Sequence, residues 1–308
     1  MKFIKDKFKP KISIKDGITE IGRLIGTTKK VTDMYNINPF PNYNNFQSKM
    51  DLVVTIDSNI FLKDLKKQIG FRKSFIEVGA GTCQLSIGMA IGTNNEIVAL
   101  DPTINSLKLG QKFAKDNKIN NVNFLKADIF EDPIKENYFD YVWCSGVLHH
   151  TSDSKKGFEI ISKWVKPGGT IIIGLYNTYG RLRTNFRQII YKLFGSSKLS
   201  RFIVGILDPH LRKNISSEQA NSWIVDQYEH PVERSHSLDE VLNWFSNNKI
   251  DFVGSLPDCD LEGTYIGLEN MNGNKGTFLN RLMAQIGMLF TSYGSEGGLF
   301  LVIGKRRL

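Results

Sequence analysis

Cysteine is scarce in this chain: three residues, Cys83, Cys144 and Cys259, among 308. They are too few and too scattered for a disulfide framework or a four-cysteine zinc site. They fit a reducing compartment, so a cytoplasmic location is expected. No apolar run reaches the roughly 18 residues that a transmembrane helix needs. The N-terminal stretch Met1–Ser13 alternates lysine with apolar residues and lacks the continuous apolar core of a secretory signal. Acidic residues are in short supply at the same end, where residues 1–30 carry nine Lys or Arg against three Asp or Glu. Six of the nine net positive charges therefore sit in the first tenth of the chain, read as a solvated basic arm rather than a nucleic-acid tail. Internal repeats are absent, and the only biased segment is the Asn-rich patch at 36–45. What is present is ordinary for a globular protein, with 41% hydrophobic and 23% charged residues. A chain of this size buries about 75% of its unfolded surface, enough for a large core without covalent staples.

Apolar periodicity divides the chain. Residues 50–69 read as one helix with Leu52, Ile56, Ile60, Leu62 and Leu65 on its apolar face. From residue 73 short apolar strands alternate with amphipathic helices. Strands are expected at 74–78, 97–100, 122–125, 139–144 and 170–175, with helices at 84–91, 106–117 and 158–165. Leu107, Leu109 and Phe113 are the expected core contacts of the second helix. Alternation of this kind implies an α/β fold with a parallel sheet and right-handed crossovers. Residues 177–236 break the rhythm and read as a mostly helical insertion. Ser237-x-x-Glu240 has the form of a capping box opening a helix at 238–247. Two late strands, 252–256 and 300–303, flank a helix at 278–290 that is read as a sheet cover rather than a membrane-lying element.

The segment Phe75-Ile-Glu77-Val-Gly79-Ala80-Gly81-Thr-Cys83 carries the chemistry. A strand ends in an acid, and a Gly-x-Gly turn then lets the backbone come close to a ligand. In open α/β sheets that ligand lies beyond the carboxyl ends of the strands. A dinucleotide fingerprint needs a third glycine three residues after Gly81, where this chain has Gln84, so the match fails. Two further acids follow at strand ends. Asp101 closes the second strand, where a carboxylate can accept both hydroxyls of a ribose. Asp128 follows the third, where it can accept from an adenine amino group with Ile129 against the ring. Ser145 and Gly146 end the fourth.

Glu-x-Gly-x-Gly followed by these acids resembles the class I S-adenosylmethionine (SAM) methyltransferases. Gly146-Val-Leu-His149-His150 with Asp153 is similar to their type 11 small-molecule group. Ser106-Leu-Lys-Leu-Gly110, Ile173 to Arg181, Asp226-Gln-Tyr228-x-His230-Pro231 and Asn38 to Tyr43 resemble one bacterial subgroup of it. The likeness covers about residues 35–308. Cys83 departs from the pattern, standing where relatives usually have the third glycine. The resemblance implies a Rossmann-like, seven-stranded, mostly parallel sheet flanked by helices, with a helical insertion after the fifth strand. It implies SAM as cofactor, held by Glu77, Gly79, Ala80, Gly81, Asp101, Pro102, Asp128, Ile129 and Ser145. Four regions follow: a basic arm and helical cap (1–70), a SAM-binding core (71–176), a helical substrate or lid insertion (177–236) and a C-terminal completion of the sheet (237–308).

Methyl transfer from a sulfonium is an in-line displacement, so the protein mainly aligns and desolvates the reactants. A base is needed only where the nucleophile starts protonated. His149, His150 and Tyr176, past the fourth and fifth strands, are the catalytic candidates, histidine being suited to proton transfer near neutral pH. Tyr179, Arg181, Asp226, Tyr228 and His230 are the expected acceptor-binding residues, with a buttressing role for Arg181 as the alternative. No ligand spacing matches a metal site, so none is expected. The expected partner is a small-molecule acceptor. Nucleic acid is disfavoured, because Cys144-Ser145-Gly146 stands where adenine-N6 enzymes have Asp/Asn-Pro-Pro-aromatic, and no cysteine follows a proline. Protein methylation and a non-catalytic SAM-binding module are the remaining alternatives. The three acids argue against the latter.

Overall fold

The structure, a computed structural model, describes residues 1–37, 48–195, 197–212, 215–260, 267–290 and 297–308. The loop expected at Asn38–Tyr43 lies outside them. In chain order the strands are β1 (Ser13–Lys15), β2 (Ile18–Glu20), β3 (Ser74–Val78), β4 (Glu96–Asp101), β5 (Val122–Lys126), β6 (Phe139–Ser145), β7 (Val165–Tyr176), β8 (Ile250–Leu256) and β9 (Leu299–Arg306). The helices are α1 (Gly26–Ile37), α2 (Lys49–Ser58), α3 (Ile60–Ile69), α4 (Gln84–Ala90), α5 (Ile104–Asp116), α6 (Ser154–Trp164), α7 (Leu182–Leu193), α8 (Lys198–Leu207), α9 (Ser217–Tyr228), α10 (Leu238–Asn247) and α11 (Phe278–Gly287).

All nine strands join one sheet in the order β1-β2-β5-β4-β3-β6-β7-β9-β8. β3 is buried along its whole length, which is why its sequence Ser-Phe-Ile-Glu-Val does not alternate. From β3 the chain steps outward through β4 and β5 on one side, and through β6 and β7 on the other, all in parallel. The carboxyl ends of β3 and β6 therefore diverge at a topological switch point, where open α/β sheets hold their ligands. β9 runs antiparallel between β7 and β8.

Seven strands, β3 to β9, match the expected count, and two were missed. The basic N-terminal segment is no free arm in this structure. Phe3, Ile4, Ile18 and Ile21 are buried, and β2 pairs in parallel with β5. Each missed strand is only three residues long, too short for alternation to register, and β1 is exposed along its whole length. The helix expected over 50–69 is two. Asn59 takes an extended conformation and its side chain accepts a hydrogen bond from the Leu62 amide, ending α2 and capping α3. Ile60 and Leu109, expected in the core, are exposed. At Ser237 the cap forms but the box does not close, because Glu240 reaches instead to the His236 ring.

α7, α8 and α9 form the insertion and share a small core of Tyr191, Val204, Ile224 and Tyr228. Asp208 at the end of α8 anchors it, accepting from Trp223 Nε1 at 2.9 Å and from the Tyr228 hydroxyl at 2.7 Å. Two glycines are required by close approach. A Cβ on Gly79 would fall 2.1 Å from Val147 Cγ2, and one on Gly110 of α5 would fall 2.6 Å from the Thr82 carbonyl oxygen. Gly110 thus lets α5 pack directly beneath the turn that carries the ligand-facing backbone. Cys83, in that turn, adopts φ +66°, which explains the glycine usual there. Gly110→Ala is expected to push α5 off the turn and to cost about 1–3 kcal/mol of stability, measured by denaturant unfolding.

Candidate functional site

A cleft of about 340 Å³ opens at the switch point. Its floor is the β3 turn, with Glu77, Gly79, Ala80 and Gly81. Asp101, Pro102 and Thr103 after β4 form one side, and Asp128, Ile129 and Phe130 after β5 lie beyond them. Ser145, Gly146, Val147, His150 and Thr151 after β6 close the other side. All nine residues expected to hold the cofactor line this cleft.

The three acids differ in environment. Asp101 is buried and both its oxygens accept backbone hydrogens, Oδ2 from Gly81 at 2.8 Å and Oδ1 from Thr103 at 2.7 Å. It therefore fixes the shape of the glycine turn, and although the Thr103 side chain bonds it as well, it keeps accepting capacity for a ligand hydroxyl. Burial still pushes its pKa up, against the lowering effect of those amides. Asp128 spends Oδ1 on the Phe130 amide at 3.0 Å. Glu77 accepts from the amide and hydroxyl of Ser86 at 2.8 and 2.5 Å, and burial raises its pKa to about 8. Such a carboxyl is protonated at neutral pH until a cation approaches it.

A helical cap was expected within 1–70, but the residues that roof the cleft were not picked out in the sequence. Thr28, Val31 and Tyr35 of α1 line the cleft from above. The spacing of Val31 and Tyr35 is a one-turn helical repeat, a signal too short to stand out. Two latches hold this helix down: the Tyr35 hydroxyl donates to Asp226 Oδ1 at 2.7 Å, and Asn105 Nδ2 donates to the Asn36 carbonyl at 3.0 Å.

Of the expected catalytic and acceptor residues, the structure brings His150 alone to the cleft wall. Its Nδ1 lies 2.9 Å from the Val232 carbonyl, an acceptor, so Nδ1 carries the hydrogen and Nε2 keeps a lone pair. Desolvation lowers its pKa and keeps the ring neutral. His149 is fully buried behind it, its ring 4.0 Å from that of Tyr176, and neither ring nitrogen has a hydrogen-bond partner among the described residues. Burial drives its pKa well below the ordinary histidine range. The Tyr176 hydroxyl accepts from Gln227 Nε2, so it points into the insertion.

Arg181 is also fully buried. Its guanidinium lies 3.8 Å from the Tyr176 ring centroid and grips Glu233 through Nη2 at 2.7 Å to both carboxylate oxygens. Nη1 donates to Gln227 Oε1 at 2.7 Å. That is the buttress geometry, and it leaves Arg181 off the cleft. Asp226 accepts from Tyr35 and Gln227, and Tyr228 belongs to the insertion core, bonded to Asp208. Tyr179 is half-buried and does not line the cleft. His230 stacks on His150 at 3.7 Å, and burial brings its pKa down to about 4. Among the described residues no group of three or more His, Cys, Asp or Glu side chains is placed to hold a metal ion.

The donor set suits a cationic nucleoside. Acids at three successive strand ends offer a pyrophosphate no counter-charge, whereas an ammonium or sulfonium relieves the desolvated Glu77. A family model described as a methyltransferase domain matches residues 72–227, just over half the chain. The chain belongs to this family, the class I SAM-dependent methyltransferases. A demethylmenaquinone methyltransferase of Oceanobacillus iheyensis is 26% identical over 165 residues, covering 54% of this chain and 65% of that protein. The chain spans about half to two thirds of the length of this and another relative, an uncharacterized Synechococcus protein. Among solved structures, PKMT2 from Rickettsia typhi in complex with AdoHcy superposes with a TM-score of 0.57 at 16% identity, over 77% of this chain and 50% of that one. The magnesium protoporphyrin IX methyltransferase of Synechocystis PCC 6803, with bound SAH, gives 0.54 at 12%, over 91% of this chain and 100% of that one. At these identities the likeness is one of fold.

Two measurements test the site. Below the ordinary carboxyl pKa of 4.5 the neutral Glu77 contributes its full stability, which is lost as pH rises through about 8. Binding of a cationic ligand at pH 7 is therefore expected to release roughly one proton, seen as a buffer-dependent enthalpy in calorimetry. Glu77→Gln should abolish the release and flatten the pH dependence of unfolding. Tyr35→Phe removes the Asp226 latch and should weaken S-adenosylhomocysteine binding by roughly 2- to 10-fold in the same titration, leaving the core's melting transition in place.

Proposed function

We propose that the protein transfers a methyl group from SAM to a small-molecule acceptor. The observation that carries this reading is the ring of three acids, Glu77, Asp101 and Asp128, at the carboxyl ends of β3, β4 and β5 around one glycine turn. Asp101 would take the ribose hydroxyls and Asp128 with Ile129 the adenine. Glu77 and the β3 turn would face the methionine end. When bound, the cofactor supplies the electrophilic methyl group.

The chain's own residues supply position and dryness. α1 roofs the cleft and excludes water, which strengthens every charge interaction inside. His150 is the group placed to take a proton from a hydroxyl or phenol acceptor, through the lone pair on Nε2. The Val232 carbonyl fixes its tautomer, and the His230 ring holds its plane. His149, Tyr176 and Arg181 support this wall without touching the cleft. The Oceanobacillus and Synechocystis proteins are themselves methyltransferases of small molecules, demethylmenaquinone and magnesium protoporphyrin IX. A cleft roofed by α1 favours an acceptor of modest size over a folded protein or a duplex.

Titration with S-adenosylhomocysteine, with NAD as control, tests the cofactor assignment. Micromolar binding without NAD binding is expected, and the reverse preference would refute it. Once an acceptor is found by screening SAM turnover, His150→Ala should lower kcat by about 100-fold or more with cofactor affinity unchanged. Because burial holds the His150 pKa below its ordinary value, the acid limb of the rate profile should lie below the usual histidine range. Equal losses of turnover and affinity would make the residue structural.

A further inference from the structure

The helices α7 and α8 concentrate exposed apolar side chains on the described surface. On α7, Leu182, Phe186, Ile189 and Leu193 are between 49% and 76% exposed. Their spacing of four, three and four residues puts them on one stripe of the helix. Arg183 borders that stripe on one side and Lys192 on the other, both exposed. On α8 the pattern repeats, with Leu199, Phe202 and Ile206 exposed and Lys198 beside them.

Charge distinguishes what this face would meet. Residues 177–216 contain eight Lys or Arg and a single acid, Asp208. Asp208 is turned inward, bonded to Trp223 and Tyr228. Two of the cations are paired with acids, the buried Arg181 with Glu233 and the partly exposed Arg201 with Glu229. Arg183, Lys192 and Lys198 stand at the margins of the apolar stripes, with no carboxylate of the described residues within ion-pair distance. The Arg183 guanidinium lies 5.8 Å from the ring of Phe290, itself exposed, so the apolar surface continues beyond α11.

We propose that the α7–α8 hairpin docks on the surface of an anionic phospholipid bilayer. Phe186, Ile189 and Phe202 would seat among the acyl chains while Arg183, Lys192 and Lys198 engage lipid phosphates. A second copy of this chain fits less well, because a two-fold axis through this face would set the same cations against one another. Docking also has a consequence for the acceptor, which rests on the small-molecule methylation reading. α7 begins one residue after Arg181, at the carboxyl edge of the sheet where the cleft opens. A bilayer held there would deliver an amphiphilic, lipid-dissolved acceptor to that edge.

Sedimentation with phosphatidylcholine vesicles, with and without phosphatidylglycerol, tests the proposal. The protein should pellet with the phosphatidylglycerol vesicles and be released by salt. Phe186→Asp with Phe202→Asp should reduce partition by roughly tenfold or more, and Lys192→Glu with Lys198→Glu severalfold. Both positions in each pair are exposed, so the variants should keep their melting transition and their affinity for S-adenosylhomocysteine. Failure of the unaltered protein to pellet, or unchanged pelleting of the Phe186→Asp/Phe202→Asp variant, would overturn the proposal. So would equal binding to pure phosphatidylcholine, or a dimer in analytical ultracentrifugation that this variant dissociates. Loss of S-adenosylhomocysteine binding with vesicle binding intact would instead remove the methylation reading and leave the docking face standing.

Discussion

Asp101 ties the end of β4 to the glycine turn that follows β3, and the site depends on that tie. Its two oxygens are committed to the amides of Gly81 and Thr103 before any ligand arrives. The turn is thereby held open toward the cleft in a conformation that Gly79, Gly81 and Cys83 reach with positive φ. Burial raises the pKa of Glu77, and the repulsion of the Asp101 carboxylate adds a smaller push in the same direction. A ligand cation relieves that repulsion and therefore selects its own charge.

The wall between the cleft and the insertion is a second unit. A fully buried arginine is tolerable only when its donors are met, and Arg181 is met by Glu233, by Gln227 and by the Tyr176 ring. Gln227 joins this cluster to Asp226, and Asp226 joins it to Tyr35 in the roof. The roof, the insertion and the strand β7 are thus linked by one hydrogen-bonded chain. Breaking a buried member of it would leave a charge without compensation, which is why these polar residues sit together rather than scattered over the surface.

The lining of the cleft was legible because strand ends carry their own punctuation. Glu77, Asp101 and Asp128 each terminate an apolar run, and the parallel sheet places successive strand ends side by side. The acceptor half was not legible. His149, Tyr176 and Arg181 follow strand ends just as closely, yet their side chains turn inward, and nothing in residue type or spacing distinguishes a side chain that faces the cleft from one packed behind it. Tyr228 reads as a ligand contact by position and is core by packing, because α9 presents it to Tyr191 and Val204. The roof escaped because its apolar repeat is one turn long. The N-terminal strands escaped because three residues are too few for alternation to register.

The pairing of β2 with β5 carries a consequence for how the molecule is made. Ile18 meets Phe124 in register, so β2 must wait for a partner made much later in the chain. Contacts of such sequence separation close large loops and are formed late. Until β5 emerges, β2 lacks the neighbour that pairs with it in the folded protein, and Ile18 and Ile21 lack the cover they have there.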